Sequence, residues 1–354
     1  MSVEGCEGGP AAVIRRPMVK AGLPRLRRPD GVMQFGIDPE RSVLLEGIDE
    51  PTERWIGALD GILDIGRLHT EAVTVGVAPR TAEQVLELLA GQGLLEDAGA
   101  DCPGWADLPR EARDRLVPDL TSMTLLDPRP DGGKKILSRR LTATVEVRGG
   151  GRVGSAVAAL LDAAGVGSVR LIDPAEVRPA DLGPAGHRAD RLGCPRGTPA
   201  PHLPETIDLD RPDLVVLAAD DGTHSAGNNP ETLQTPHLLA AVHETSGVVG
   251  PLVVPGRTAC LRCLDLARTD RDPHWPGLRA QLRSGRRVTP TPACDVVLAT
   301  AVASHAALQA LSFLDSGAAS SMDGTLHIRL PDGLVRRRSW SQHPACGCGW
   351  ADAG

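Results

Sequence analysis

Residues 142–173 decide the fold of this chain, and they read Thr-Ala-Thr-Val-Glu-Val-Arg-Gly-Gly-Gly-Arg-Val-Gly-Ser-Ala-Val-Ala-Ala-Leu-Leu-Asp-Ala-Ala-Gly-Val-Gly-Ser-Val-Arg-Leu-Ile-Asp. The pattern predicts a strand, a glycine turn, a helix, a second strand and an acid. Gly149, Gly151 and Gly154 form GxGxxG, and Asp173 stands 19 residues after the last glycine. In nucleotide-binding βαβ units such glycines let the backbone approach a phosphate, and the acid binds a ribose hydroxyl. The alternative is a glycine-rich loop in an α/β domain that binds no ligand.

The composition limits the classes of function. A chain of 354 residues with 41% hydrophobic and 23% charged residues has room for two globular domains. A net charge of -7 and an aromatic content of 2% argue against nucleic acid or an anionic membrane as the partner. Because no signal core and no uninterrupted run of 18 apolar residues is present, we predict a cytoplasmic protein. Its eight cysteines are then thiols or metal ligands rather than disulfides.

The N-terminal quarter predicts a small α+β module. Residues 1–23 lack periodicity and predict a flexible tail. Residues 24–98 contain two strand patterns, three helix patterns, the last with a capping box at Thr81, and a short return strand, which together predict a winged-helix-like module. Three roles are open for this module: a purely structural role, binding of a peptide or partner at its hairpin edge, or binding of DNA. Glu83 and Glu87 on the last helix serve phosphate contact poorly, which disfavours DNA.

The remainder predicts a connector, residues 99–140, and a nucleotide-binding domain, residues 141–354. An apolar run that ends in Asp220 predicts a buried parallel strand. A second apolar strand, a long helix from Asp295 and a terminal hairpin around residues 331–333 follow. The predicted fold class is therefore α/β, with a Rossmann-like, mainly parallel sheet and a C-terminal antiparallel hairpin.

Two cysteine pairs predict a structural metal site. Cys260 and Cys263 form CxxC, and Cys346 and Cys348 form CxC. Four thiolates suit a tetrahedral Zn²⁺ that pins the C-terminus to the domain. The alternatives are a redox pair at Cys260 and Cys263, or unrelated thiols. Cys294 begins the long helix, where it is either a thiol with a lowered pKa or a small buried residue.

These features occur in one order, and together they resemble the ThiF/MoeB/HesA family, the bacterial relatives of ubiquitin-activating enzymes. The similarity covers residues 141–350 and is closest at residues 164–173. The N-terminal module resembles, much more weakly, that of stand-alone ThiF-like proteins near modified-peptide pathways. The resemblance implies that the chain binds ATP and Mg²⁺, adenylates the C-terminal carboxylate of a small carrier protein or precursor peptide, and forms a homodimer.

The resemblance also implies roles for single residues. Gly149, Gly151, Gly154 and Asp173 match the nucleotide site, and Cys260, Cys263, Cys346 and Cys348 match the zinc ligands. Glu176 matches a second acidic position, and Asp220 matches the acid near Mg²⁺ and the triphosphate. Arg196 stands where the family has a basic residue, usually Lys. Arg152 replaces a family glycine, where it either offsets phosphate charge or obstructs the site.

One departure keeps three functions open. The family's Asn-Leu-x-Arg-Gln appears here as Asp181-Leu182-Gly183-Pro184-Ala185, so Pro184 replaces the arginine that steadies the triphosphate. The first hypothesis is an adenylyltransferase with catalytic roles for Asp220, Arg196 and Arg152. The second is a non-catalytic partner that binds a precursor (leader) peptide through residues 24–97. The third is an NAD-dependent oxidoreductase, which fits the cysteine pairs less well.

Overall fold

A computed structural model describes residues 14–197, 211–218, 233–283 and 292–348. The chain divides into two compact units, Met1–Ser138 and Arg139–Gly354.

The first unit contains two small antiparallel sheets within its described residues. The strands are β1 (Pro17–Val19), β2 (Arg25–Arg27), β3 (Met33–Phe35), β4 (Val43–Leu45) and β5 (Leu95–Asp97). One sheet has the order β2-β3-β4, and the other pairs β1 with β5. The two strand patterns of the predicted module occupy residues 32–37 and 42–48, and both are confirmed, as β3 and β4. Val19 is fully buried, so residues 17–19 form β1 rather than part of a loose tail.

Three helices complete the core of the first unit: α1 (Glu50–Gly57), α2 (Ile65–Thr74) and α3 (Pro79–Gly91). The carboxylate of Asp49 accepts from the N–H of Thr52 at 2.9 Å, which caps α1. The predicted capping box at Thr81 is wrong, because α3 already begins at Pro79. Proline is favoured at a first helical position, since its φ is preset and its missing N–H is not needed there.

The winged-helix identity is not confirmed. Strand β5 pairs with β1 and does not join β3 and β4 in the described part of the chain, so the predicted return strand lies outside the hairpin sheet. The apolar side chains nevertheless share one core, in which Trp55 is 1% exposed and donates from Nε1 to the carbonyl of Leu68 at 2.9 Å.

The predicted connector contains two helices, α4 (Arg110–Leu126) and α5 (Gly132–Thr142). Lys134 on α5 donates from Nζ to the carbonyls of Asp97, Ala98 and Ala100 at 2.9–3.0 Å. Lys20 is 2% exposed and donates to the carbonyl of Asp127 at 2.7 Å. These two lysines donate to backbone carbonyls and so attach this stretch to the rest of the first unit, which a sequence rich in Gly, Pro and Asp does not indicate.

The second unit is built on a mixed sheet of seven strands within the described residues. They are β6 (Thr144–Arg148), β7 (Ser168–Ile172), β8 (Leu214–Leu217), β9 (His237–His243), β10 (Ser246–Val253), β11 (Gly324–Arg329) and β12 (Val335–Ser339), in the order β12-β11-β10-β9-β8-β6-β7. The pairs from β7 to β9 are parallel, and those from β9 to β12 are antiparallel. The sheet is therefore mixed rather than mainly parallel, because β9 and β10 are joined by a tight hairpin. The C-terminal hairpin is confirmed.

Four helices of the second unit are described: α6 (Arg152–Ala163), α7 (Leu261–Thr269), α8 (Trp275–Arg283) and α9 (Val296–Ser316). Helices α6 and α9 share the core of the sheet through residues such as Val157, Leu161 and Val302, each at 0% exposure. Helix α9 has the length and apolarity of a membrane span. Its buried face lies in this core, and core helices commonly have the same composition.

Candidate functional site

The glycine turn lies between β6 and α6. Gly149 has φ of 102°, a backbone conformation that side chains with a Cβ rarely adopt. Gly151 is the N-cap of α6. A Cβ at Gly154 would lie 1.8 Å from the carbonyl oxygen of Gly149. The turn can therefore form only with glycine at 154, and strongly favours it at 149.

Asp173, directly after β7, contacts this turn. Its Oδ2 accepts from the N–H of Gly150 at 2.7 Å, and its Oδ1 accepts from the N–H of Ala175 at 2.9 Å. Burial by itself would raise the pKa of Asp173, but the hydrogen bonds from Ala175, Gly150 and Arg196 outweigh it and lower the pKa. The carboxylate is thus held ionised against the backbone of the turn, with acceptor capacity left on Oδ1.

Arg196 lies behind Asp173, in what we name the acid–arginine triad: Asp173, Arg196 and Asp181. The side chain of Arg196 is 4% exposed, and its Nη1 donates to Oδ2 of Asp173 at 3.1 Å. Its Nε and Nη2 donate to the two carboxylate oxygens of Asp181 at 3.0 and 2.6 Å. Such a two-pronged pair is the strongest geometry for an arginine and a carboxylate. Arg196 was predicted as a site residue from the sequence, but Asp181 was not. Asp181 could have been noticed because a carboxylate stands there in place of the family's amide.

A short antiparallel contact places Arg196 there. The N–H of Arg196 donates to the carbonyl of Ala175 at 2.8 Å, and the N–H of Gly197 donates to the carbonyl of Asp173 at 3.0 Å. The chain after β7 is therefore crossed by residues 193–197. Glu176 lies opposite Pro195 in this crossing, and its side chain is exposed.

His187 is a part of the site that the sequence did not indicate. Its Nε2 lies 2.8 Å from the carbonyl oxygen of Gly150. Because a carbonyl oxygen only accepts, Nε2 must carry the proton. Nothing in the spacing of the chain signals this contact, since it depends on where the loop after Asp181 returns to the turn.

Arg152 is the first residue of α6 and lies beside the uncapped end of that helix. Its Nη1 donates to the carbonyl of Cys294 at 2.6 Å. Its Nε is buried and has no hydrogen-bond partner among the described residues. No side chain caps α6, whereas Asp295 caps α9 through the N–H groups of Val297 and Leu298. A helix N-terminus with a half-satisfied arginine fits an anion such as a phosphate. Asp220 lies outside the described residues.

The four predicted metal ligands come together. The Sγ atoms of Cys260, Cys263, Cys346 and Cys348 all lie within 4.8 Å of one another. The Cys260–Cys346 and Cys263–Cys348 pairs are 3.4 and 3.3 Å apart. A tetrahedral zinc with Zn–S bonds of about 2.3 Å requires sulfur–sulfur distances of about 3.8 Å, so the cluster fits Zn²⁺ after small shifts of the sulfur atoms.

The surroundings of the cluster also suit a metal. The N–H of His343 donates to Sγ of Cys263 at 3.3 Å, and such a hydrogen bond would stabilise a metal-bound thiolate and fix its orientation. Burial raises the pKa of Cys260, Cys346 and Cys348 to about 11. Metal binding would therefore displace protons from these thiols.

Comparison with known proteins was made by sequence and by fold. No family model and no curated protein matches the sequence. The fold is similar to E. coli MccB with succinimide, with a TM-score of 0.64 and 16% identity, over 95% of this chain and 99% of that one. It is similar to E. coli MccB with AMPCPP and MccA, with a TM-score of 0.63 and 14% identity, over 94% and 99%. It is also similar to PaaA, with a TM-score of 0.63 and 17% identity, over 90% and 99%. These similarities support the ThiF-like fold.

Proposed function

We propose that this chain is a ThiF-like, ATP-dependent adenylyltransferase that activates the C-terminal carboxylate of a precursor peptide or small carrier protein. The observation that carries the proposal is the MccB-like fold over nearly the whole chain, both units included. MccB structures contain ATP, AMPCPP or the peptide MccA, and one describes MccB as a microcin C7 biosynthetic enzyme. A homodimer and a cytoplasmic location belong to the same proposal.

The residues of the glycine turn support a nucleotide. When bound, ATP would supply the adenylyl group that a carboxylate receives, with release of pyrophosphate. The N-terminus of α6 would hold a phosphate, Asp173 would orient the ribose, and Arg152 would offset negative charge. Asp220 would hold Mg²⁺. No side-chain base is needed, because a peptide carboxylate is already ionised at pH 7.

Asp173→Asn should weaken ATP about tenfold to a hundredfold, since a hydrogen bond to a charged group contributes about 1.5–3 kcal/mol. Asp190→Asn is the matched control, because its side chain is 75% exposed in the following loop. Calorimetric titration with ATP and Mg²⁺ measures the affinity, and exchange of labelled pyrophosphate into ATP, with candidate peptides from neighbouring genes, measures the reaction. Wild-type protein that gives no heat at millimolar ATP and no exchange with any peptide would contradict adenylation.

A second candidate function is a peptide-binding partner of a modifying enzyme that does not itself adenylate. Two observations favour it: Pro184 replaces the family arginine, and the guanidinium of Arg196 is buried against two carboxylates. Both features reduce the positive charge available to stabilise the triphosphate of ATP in the transition state. In phosphoryl-type reactions, loss of such a cation removes much of the rate.

Peptide binding is common to both functions, and the three-stranded sheet β2-β3-β4 of the first unit supports it. Strands β2 and β4 are its two edges in the described part of the chain. Leu26 and Leu44 are each 44% exposed, and both lie in register with Gln34 on one face of the sheet. An edge strand offers unpaired N–H and C=O groups, and an extended peptide can join it as a further strand. We place the precursor peptide at this sheet.

The double variant Leu26→Asp, Leu44→Asp should weaken the precursor peptide at least about tenfold, because it places two charges beside the apolar side chains of an added strand. Ile62→Asp is the control, since Ile62 is 72% exposed and lies outside the sheet. Fluorescence anisotropy with labelled candidate peptides measures the affinity. Equal affinity of the double variant and wild type would exclude this sheet as the peptide site.

A further inference from the structure

We propose that Arg196 is a positioning residue, which holds Asp173 against the glycine turn and does not itself touch a phosphate. The proposal rests on the nucleotide site proposed above and gives different roles to its two arginines, Arg196 and Arg152. It differs from the catalytic role that the adenylyltransferase hypothesis gives to Arg196.

The first argument is that the guanidinium of Arg196 is already committed. It directs Nε and Nη2 to Asp181 and Nη1 to Asp173. Its side chain is 4% exposed, and that of Asp181 is 6% exposed. A phosphate that bound this buried guanidinium would have to compete with two carboxylates already paired to it, and would bring a further anion beside them.

The second argument is the effect of the triad on Gly150. Oδ2 of Asp173 is shared between Nη1 of Arg196 and the N–H of Gly150. A Cβ at Gly150 would lie 2.8 Å from Cβ of Arg196, so the arginine also packs directly against the turn. His187 holds the carbonyl of the same glycine at 2.8 Å. Both polar groups of Gly150 are thus held by side chains, and the first turn of α6 starts from a defined position.

The third argument is charge. The triad contains two carboxylates and one guanidinium, so it carries a formal charge of about −1 beside the turn. Without Arg196, Asp173 would lose the guanidinium that pairs with it, and Asp181 would keep, among the described residues, the ion pair of 3.7 Å with the more exposed Arg178. The carboxylate of Asp173 would then be held less firmly against the N–H of Gly150. Arg152 lacks such a commitment at Nε, which is buried without a partner among the described residues. The site therefore offers Arg152, and not Arg196, to a phosphate.

The test uses the full-length chain without nucleotide. In Arg196→Met, amide hydrogen exchange in residues 149–154 should accelerate about tenfold or more, because Asp173 is no longer fixed by Arg196 against the N–H of Gly150. Arg196→Lys should give an intermediate value, since a single ammonium cannot bridge two carboxylates in this geometry. Arg188→Met is the matched control in the same loop, because the Arg188 side chain is 86% exposed. If Arg196→Met fails to fold, Asp181→Asn tests the same triad through its second carboxylate.

A second readout separates positioning from phosphate contact. Removal of a phosphate ligand weakens ATP but not adenosine, whereas removal of a positioning residue weakens both by the same factor. We expect Arg196→Lys to weaken both equally and Arg152→Met to weaken only ATP. Unchanged exchange in every triad variant, or an ATP-specific loss at Arg196, would overturn the proposal. If wild-type protein binds neither ligand, the proposed function fails, and hydrogen exchange alone decides the role of Arg196.

Discussion

Cys263→Ser should abolish zinc binding and lower the free energy of unfolding by several kcal/mol, the largest effect that we expect from a single substitution. Cys263 is fully buried, and its Sγ lies 3.7 Å from that of Cys260 and 3.3 Å from that of Cys348. Serine is a poor ligand for Zn²⁺, and three thiolates without the fourth would leave the site open. Because the binding energy of a structural metal is folding energy, its loss should release the C-terminus from α7.

Elemental analysis and thermal unfolding of the purified protein measure these two effects. Wild-type protein should contain one zinc per chain. Cys102→Ser is the control, since Cys102 lies in the first unit and belongs to no cysteine cluster among the described residues. Wild-type protein with less than about 0.2 equivalents of zinc, in a preparation never exposed to a chelator, would refute the metal site.

Gly154→Ala should destabilise the second unit by about 3 kcal/mol or more and remove nucleotide binding. The added Cβ would lie 1.8 Å from the oxygen and 2.9 Å from the carbon of the Gly149 carbonyl, and 3.0 Å from Cβ of Ala218. These are mainly backbone contacts, which cannot move aside as the end of a flexible side chain can. The turn and the start of α6 would have to separate.

Urea unfolding compares this variant with Gly183→Ala. A Cβ at Gly183 has no heavy atom within 4 Å, and its φ is not in the left-handed region. We therefore expect that control to change stability by less than about 0.5 kcal/mol. Equal midpoints for Gly154→Ala and wild type would show that the turn does not have the tight geometry described here.

Much of the second unit could be predicted because its signals are local. The strand, glycine turn, helix and strand of residues 142–173 follow one another without interruption, and the hairpin of β11 and β12 surrounds a Pro-Asp-Gly turn. The cysteine pairs are equally local, since CxxC at the start of α7 presents two thiols together. Only the tertiary structure could show that the second pair, Cys346 and Cys348, lies against the first.

The errors occurred where distant contacts decide the structure. Residues 17–19 form a strand only because β5 lies beside them, and Lys134 orders the predicted connector through three backbone carbonyls. The antiparallel half of the main sheet follows from the tight hairpin that joins β9 and β10.

The amino-acid sequence by itself determined the glycine turn, the acid that follows β7 and the two cysteine pairs, because these features depend on residues close together in the chain and, at the turn, on space that only glycine leaves free. Only the tertiary structure decided the environment of each charge. Arg152 lies within the glycine turn and Arg196 lies far from it in sequence, yet the fold brings both cations to the same place. Arg196 is buried against Asp173 and Asp181, whereas Arg152 lies at the uncapped end of α6. Whether an arginine neutralises its own protein or a ligand depends on which carboxylates the fold brings within hydrogen-bond distance, and sequence spacing does not encode that distance.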